Sequence, residues 1–98
     1  MSKVKTPILP SHIRVTSKVT YEVLFTDTFK DESVVGEMRK DARQIVIKNG
    51  QSNKELISTY IHEVLHVLSD ENDVKLTESQ VGKLELAIYR FLRLNGIL

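Results

Sequence analysis

Hydrophobic positions alternate with polar ones through the first half of the chain and recur every three to four residues through the second. Between residues 12 and 27, Ile13 and Val15, then Val19, Tyr21, Val23 and Phe25, fall at every second position, the period of a half-buried strand. Thr16-Ser17-Lys18 interrupts the run and predicts a tight connection. Residues 28–33, with Asp31 and Glu32, read as a polar loop. Residues 34–39 predict another strand, in which Gly36 marks a bulge or a close backbone approach. Lys40-Asp41-Ala42 then turns into the strand Arg43-Gln44-Ile45-Val46-Ile47-Lys48, which Asn49-Gly50 ends.

The period changes after Gly50. Ser52-x-x-Glu55 has the form of a capping box, and Ile57, Ile61, Val64, Leu65 and Leu68 follow at helical spacing. Leu76-Thr77-x-x-Gln80-Val81 repeats the signature, with Leu76 and Val81 as a hydrophobic staple. A last helix runs to about Leu94 with Val81, Leu84, Ile88, Phe91 and Leu92 as its expected buried stripe, and Asn95-Gly96 stops it. The expected architecture is α+β: a small antiparallel sheet of three to four strands followed by two packed helices. Residues 1–11, with Pro7 and Pro10, predict an extended arm, and residues 12–98 a single domain.

Composition narrows the chemistry. The 98 residues leave room for one modest core and no separate substrate-binding domain. A net charge of +1 gives no reason to expect nucleic acid or an anionic membrane as a partner. With no cysteine, any metal must be held by His, Asp or Glu. The absence of an apolar leader or a bilayer-length run makes a cytoplasmic location the expectation, the host cytoplasm for a viral protein.

Two of the three histidines fall in His62-Glu63-Val64-Leu65-His66. On a helix, His62 and His66 stand one turn apart on one face, where both rings can reach one Zn²⁺ at about 2.0–2.1 Å. Glu63 points aside, free to act on a water. This is the H-E-x-x-H pattern of zinc metalloproteases, in which the glutamate is the general base. Thr59, His62, Glu63, His66 and Asp70 share a face away from the main apolar stripe, as a metal-binding helix requires.

A catalytic zinc needs a third protein ligand and an open position. Ser69 and Asn72 occupy the places where a metzincin would carry Gly and His, so the candidates are Asp70, Glu71, Asp73, Glu78 and Glu85. Asp70 shares the histidine face but lies a full turn beyond His66. Glu85 falls within the apolar stripe of the last helix, whereas Glu78 opens that helix, where the helix dipole alone favours an acid. Spacing does not separate Glu78 from Glu85.

The stretch from His62 to Leu68 and the stretch Leu76-Thr77-Glu78-Ser79-Gln80-Val81-Gly82-Lys83-Leu84 resemble small phage-type zincin-like metallopeptidases. Gly36-Glu37-Met38 and Gln44-Ile45-Val46-Ile47 are similar to the strands that precede the motif helix in such proteins, and the likeness covers most of residues 18–94. More distantly, the layout resembles the endopeptidases that cleave phage repressors. The resemblance implies a zincin-like minimal metallopeptidase fold and puts the third ligand, supplied by a glutamate on the following helix, at Glu78. The chain departs from the pattern at two places. Asp73 stands where a loop glycine is usual, and Gly82 where an acid would orient a histidine from behind, so no residue is assigned that task.

The expected activity is therefore hydrolysis of peptide bonds, with Zn²⁺ as cofactor, His62, His66 and Glu78 as ligands, and Glu63 as general base toward a zinc-activated water. Tyr60, Tyr89, His12 and Arg39 are candidates for stabilising the oxyanion. A peptide or protein substrate is expected to bind extended along the strand at 43–48, by backbone pairing if that strand is an edge. A metal-binding or inactive interaction module, and a zinc hydrolase of a non-peptide amide, are the alternatives.

Overall fold

The alternating half of the chain forms four strands: β1 (His12–Arg14), β2 (Thr20–Thr26), β3 (Gly36–Arg39) and β4 (Gln44–Lys48). Two helices follow, α1 (Asn53–Glu71) and α2 (Glu78–Leu94). The computed structural model describes residues 9–98, so the first eight residues of the expected arm lie outside the described residues. The end of the arm is tied down. Leu9 packs against both apolar clusters, and the Ser11 carbonyl accepts from the Val23 N–H at 2.8 Å.

The fold is α+β, a four-stranded sheet followed by two helices, as the pattern predicts. The sheet is mixed, however, and not purely antiparallel. Its order is β1-β2-β4-β3, with β1 antiparallel to β2, β4 antiparallel to β3, and β2 parallel to β4. After β2 the loop of residues 27–35 steps past one strand position, a span of roughly 10 Å, and β4 then returns into the gap. Asn49 locks the arrangement: its N–H donates to the Thr26 carbonyl at 2.8 Å and its side-chain amide to Asp27 Oδ1 at 2.9 Å.

This topology corrects the expected docking strand for a substrate. Residues 44–48 are paired on both sides, with β2 and with β3, so the backbone of β4 has no edge to offer. The free edge on that side of the sheet belongs to β3.

Both capping boxes are present. Ser52 accepts from the Glu55 N–H and Glu55 from the Ser52 N–H; Thr77 and Gln80 do the same for α2. In α1 two apolar faces are buried at once. Leu56 and Val67 join Tyr21, Val23, Ile45 and Ile47 against the sheet, while Ile57, Ile61 and Leu65 meet Val81 of α2. Each such side chain, fully buried, stabilises by about 1.5–3 kcal/mol.

Among the six elements, α2 packs on α1 alone. The molecule is thus layered, sheet then α1 then α2, and this explains where the predicted stripe fails. Val81 is buried and Ile88 and Leu92 pack against the cluster it shares with α1, but Leu84 and Phe91 are 40% and 59% exposed, because among the described residues no second element covers that side of α2. In α1, Val67 is buried in place of the expected Leu68, which is 37% exposed. No helix among the described residues is long and apolar enough to cross a membrane.

Candidate metal centre

The motif helix presents His62 and His66 on the side of α1 left open between the sheet and α2. Their Nε2 atoms stand 3.2 Å apart. The short connection after α1 returns α2 alongside it, and the first residue of α2, Glu78, arrives at the two rings. Glu78 Oε1 lies 2.5 Å from His66 Nε2, and its Oε2 3.5 Å from His62 Nε2. The ligand atoms of His62, His66 and Glu78 all lie within 4.8 Å of one another, and no other such group occurs among the described residues. Ligands about 2.0–2.1 Å from a tetrahedral ion stand roughly 3.3 Å apart. The two ring nitrogens already stand at about that separation, as does Glu78 Oε2 from His62 Nε2, while Glu78 Oε1 makes the closer contact with His66 Nε2.

The orientation of His62 is set from behind. Its Nδ1 is 2.8 Å from Glu85 Oε1. A carboxylate oxygen accepts, so Nδ1–H is the donor, and Nε2 is the ring nitrogen that faces His66 and Glu78. Glu85 therefore stands behind His62 and outside the group of His62, His66 and Glu78 that could hold a metal. It follows Glu78 by seven residues, two turns along the same face of α2, and so performs the task for which Gly82 has no side chain.

The other acids named as alternatives are engaged elsewhere. Asp70 pairs with Lys40 at 3.0 Å, and Glu71 accepts from the Tyr21 hydroxyl at 2.9 Å. Asp73 takes a left-handed conformation, φ 53°, in the turn after α1, the backbone role for which a glycine is usual. Of the oxyanion candidates, His12 lies on β1, the opposite edge of the sheet. Tyr60 and Tyr89 pack against the two apolar clusters, and Arg39 bonds Glu37 on β3 at 2.6 Å.

Glu63 is buried, and so is its neighbour on the same face, Thr59, although both lie off the apolar stripe. The cause is β3. At Gly36 the strand comes so close that a Cβ there would lie 2.5 Å from Thr59 Cγ2 and 3.2 Å from Glu63 Cγ and Oε2. Glycine is what permits the approach. Burial pushes the Glu63 carboxyl above the usual carboxylate range; His62 and His66 pull it down, and Glu78 and Glu37 push it further up.

Two open cavities flank the triangle between β3 and α1. One, of about 320 Å³, is bordered by His62, Glu63 and Glu85 together with Val34, Val35 and Gly36. The other, of about 350 Å³, is bordered by His66 with Met38, Ser69, Asp70 and Asp73. The Glu78 side chain is 72% exposed, so the triangle is closed on the protein side and open toward water. Comparison with protein-family models, with curated proteins and with solved structures gave no match.

Proposed function

We propose that the chain is a zinc-dependent hydrolase of peptide bonds. One observation carries the reading: two histidine Nε2 atoms and a carboxylate converge on one point, with a buried glutamate beside it and an open side toward solvent. A structural zinc is enclosed by four protein ligands, whereas a catalytic one keeps a position free. Three ligands and an exposed lip match the second kind.

In this reading His62, His66 and Glu78 hold the ion, which when bound supplies Lewis acidity and an acidified water. Glu63 accepts a proton on the attacking side and returns it to the leaving amine. Its raised proton affinity suits a group that must take up and then release a proton. Glu85 keeps the His62 ring in the tautomer that ligates. The substrate lies extended along the free edge of β3, whose unpaired backbone groups border the motif face of α1, and not along β4.

Zinc content after loading and dialysis, measured with peptide cleavage, tests the proposal. The wild type should retain one zinc per chain. Glu63→Gln should retain it too and lose cleavage by roughly 10²–10⁴-fold. His62→Ala and His66→Ala should lose the ion. A wild-type protein that binds no zinc, or a Glu63→Gln variant as active as wild type, refutes it.

A further inference from the structure

The outward side of α2 sorts its side chains by kind. Leu84, Ala87, Phe91 and Leu94 follow one another at alternating steps of three and four residues, and all four are exposed. On a regular helix they share an arc of roughly 80°, about a quarter turn round from Val81, Ile88 and Leu92. Those three join Ile57, Ile61 and Leu65 of α1 in one apolar cluster, so the outer four form a second seam with nothing from α1 spread over it. The row beside this seam holds Lys83 and Arg90, and no ion pair engages either among the described residues. The acids of α2, Glu78 and Glu85, both meet the histidines on the far side of the helix. We propose that the outer seam docks an amphipathic helix of a partner protein, one that carries acidic residues beside its own apolar stripe.

Spacing selects a helix as the occupant. Two apolar positions in each heptad make the narrow seam along which helices pack, whereas a helix lying in a lipid surface buries a broad face. Charge then selects which helix. In heptad terms Leu84 and Phe91 hold the a positions, Ala87 and Leu94 the d positions, and Lys83 and Arg90 the g positions that flank them. Two copies of α2 packed antiparallel would set Lys83 and Arg90 against each other. Packed parallel, they would set these cations against Ile88 and Asn95. Neither arrangement supplies a negative charge, and juxtaposed like charges disfavour association. A helix with Glu or Asp at its flanking positions would pair with both cations while covering Phe91 and Leu94, which are 59% and 78% exposed. Ala87, the small residue of the seam, lets such a helix approach closely. Docking here leaves the group of His62, His66 and Glu78 open and needs no ion.

The test uses the full chain and two helical peptides of three heptads, each with leucine at both seam positions. One carries glutamate at the flanking positions and the other lysine. By calorimetry the glutamate peptide should bind about tenfold or more tightly than the lysine peptide. Phe91→Ala, a change at an exposed position, should weaken that binding by about tenfold or more. Leu86→Ala, equally exposed but outside the seam, should leave it unchanged. Lys83→Glu combined with Arg90→Glu should reverse the preference between the two peptides. Equal affinity for both peptides, or binding indifferent to Phe91→Ala, overturns the proposal. So does self-association that Phe91→Ala abolishes in a chain that ignores the glutamate peptide, for the occupant would then be a second copy. Binding to vesicles of phosphatidylcholine and phosphatidylserine, with neither peptide bound, overturns it in favour of a lipid surface.

Discussion

The contact between β3 and α1 at Gly36 makes a quantitative prediction. An alanine Cβ at this position would fall 2.5 Å from Thr59 Cγ2, about 1 Å inside the ordinary carbon–carbon separation of roughly 3.5 Å. The neighbour is a buried, β-branched side chain on a helix, which does not swing away. Strand and helix must therefore separate, and overpacking of this kind costs about 1–3 kcal/mol. In a domain of this size the midpoint of thermal unfolding should fall by on the order of 10 °C. Thr59→Ser removes Cγ2 but keeps the Oγ1 hydroxyl that donates to Gln51 Oε1 at 2.8 Å. On its own it should cost about 1 kcal/mol for the lost methyl. Combined with Gly36→Ala it should recover most of the loss, giving a coupling energy of about 1–2 kcal/mol in a double-mutant cycle by urea denaturation. Strict additivity, within about 0.5 kcal/mol, would refute the claim that Gly36 is there to let β3 touch Thr59.

Glu85→Ala should weaken zinc binding about 10–100-fold in a chelator competition, with Glu85→Gln losing less because its carbonyl still accepts from His62 Nδ1; a change under threefold in the alanine variant would remove Glu85 from the site. Ser52→Ala breaks the first capping box and should cost about 0.5–2 kcal/mol in denaturant unfolding, without altering zinc stoichiometry. The Tyr21 phenol, pushed up to about 12 by burial and by its bond to Glu71, holds its proton in the folded chain to higher pH than in the unfolded one, where it titrates near 10.0. Its contribution is complete below pH 10 and is lost as the pH rises toward 12. Wild type should therefore lose stability across that window more steeply than Tyr21→Phe, and parallel profiles would contradict the assignment.

Most of the fold is written in local signals. Ser52 with Glu55 and Thr77 with Gln80 start both helices where the sequence places them, because a capping box is decided within four residues. The two histidines of the site are equally local, being one turn apart on one helix. Glu78 needs more: its meeting with them depends on the short connection that folds α2 back, and the family resemblance supplied that step where spacing left Glu85 in contention. What escaped is non-local. The parallel pairing of β2 with β4 depends on the loop of residues 27–35 bypassing a strand position, and nothing in the alternation of Val23 and Phe25 encodes which neighbour they receive. The role of Glu85 depends on how α2 crosses α1, which an acid within an apolar stripe hints at without specifying. Leu84 and Phe91 were expected inside because periodicity reports which face is apolar, not whether anything covers it.

The layering of the molecule has a consequence for how the site is lost. Two of the four groups that build it, Glu78 and Glu85, ride on α2, which among the described strands and helices packs on α1 alone. Detachment of that helix would dismantle the centre while the sheet and α1 keep their shared core. On the proposed reading, an ion gripped by His62, His66 and Glu78 would bridge the two helices, so its binding energy would oppose that opening directly. The metal would then act as a clasp on the outer layer as well as an agent of chemistry, and hydrolytic competence and the docking of α2 would rise and fall together with zinc supply.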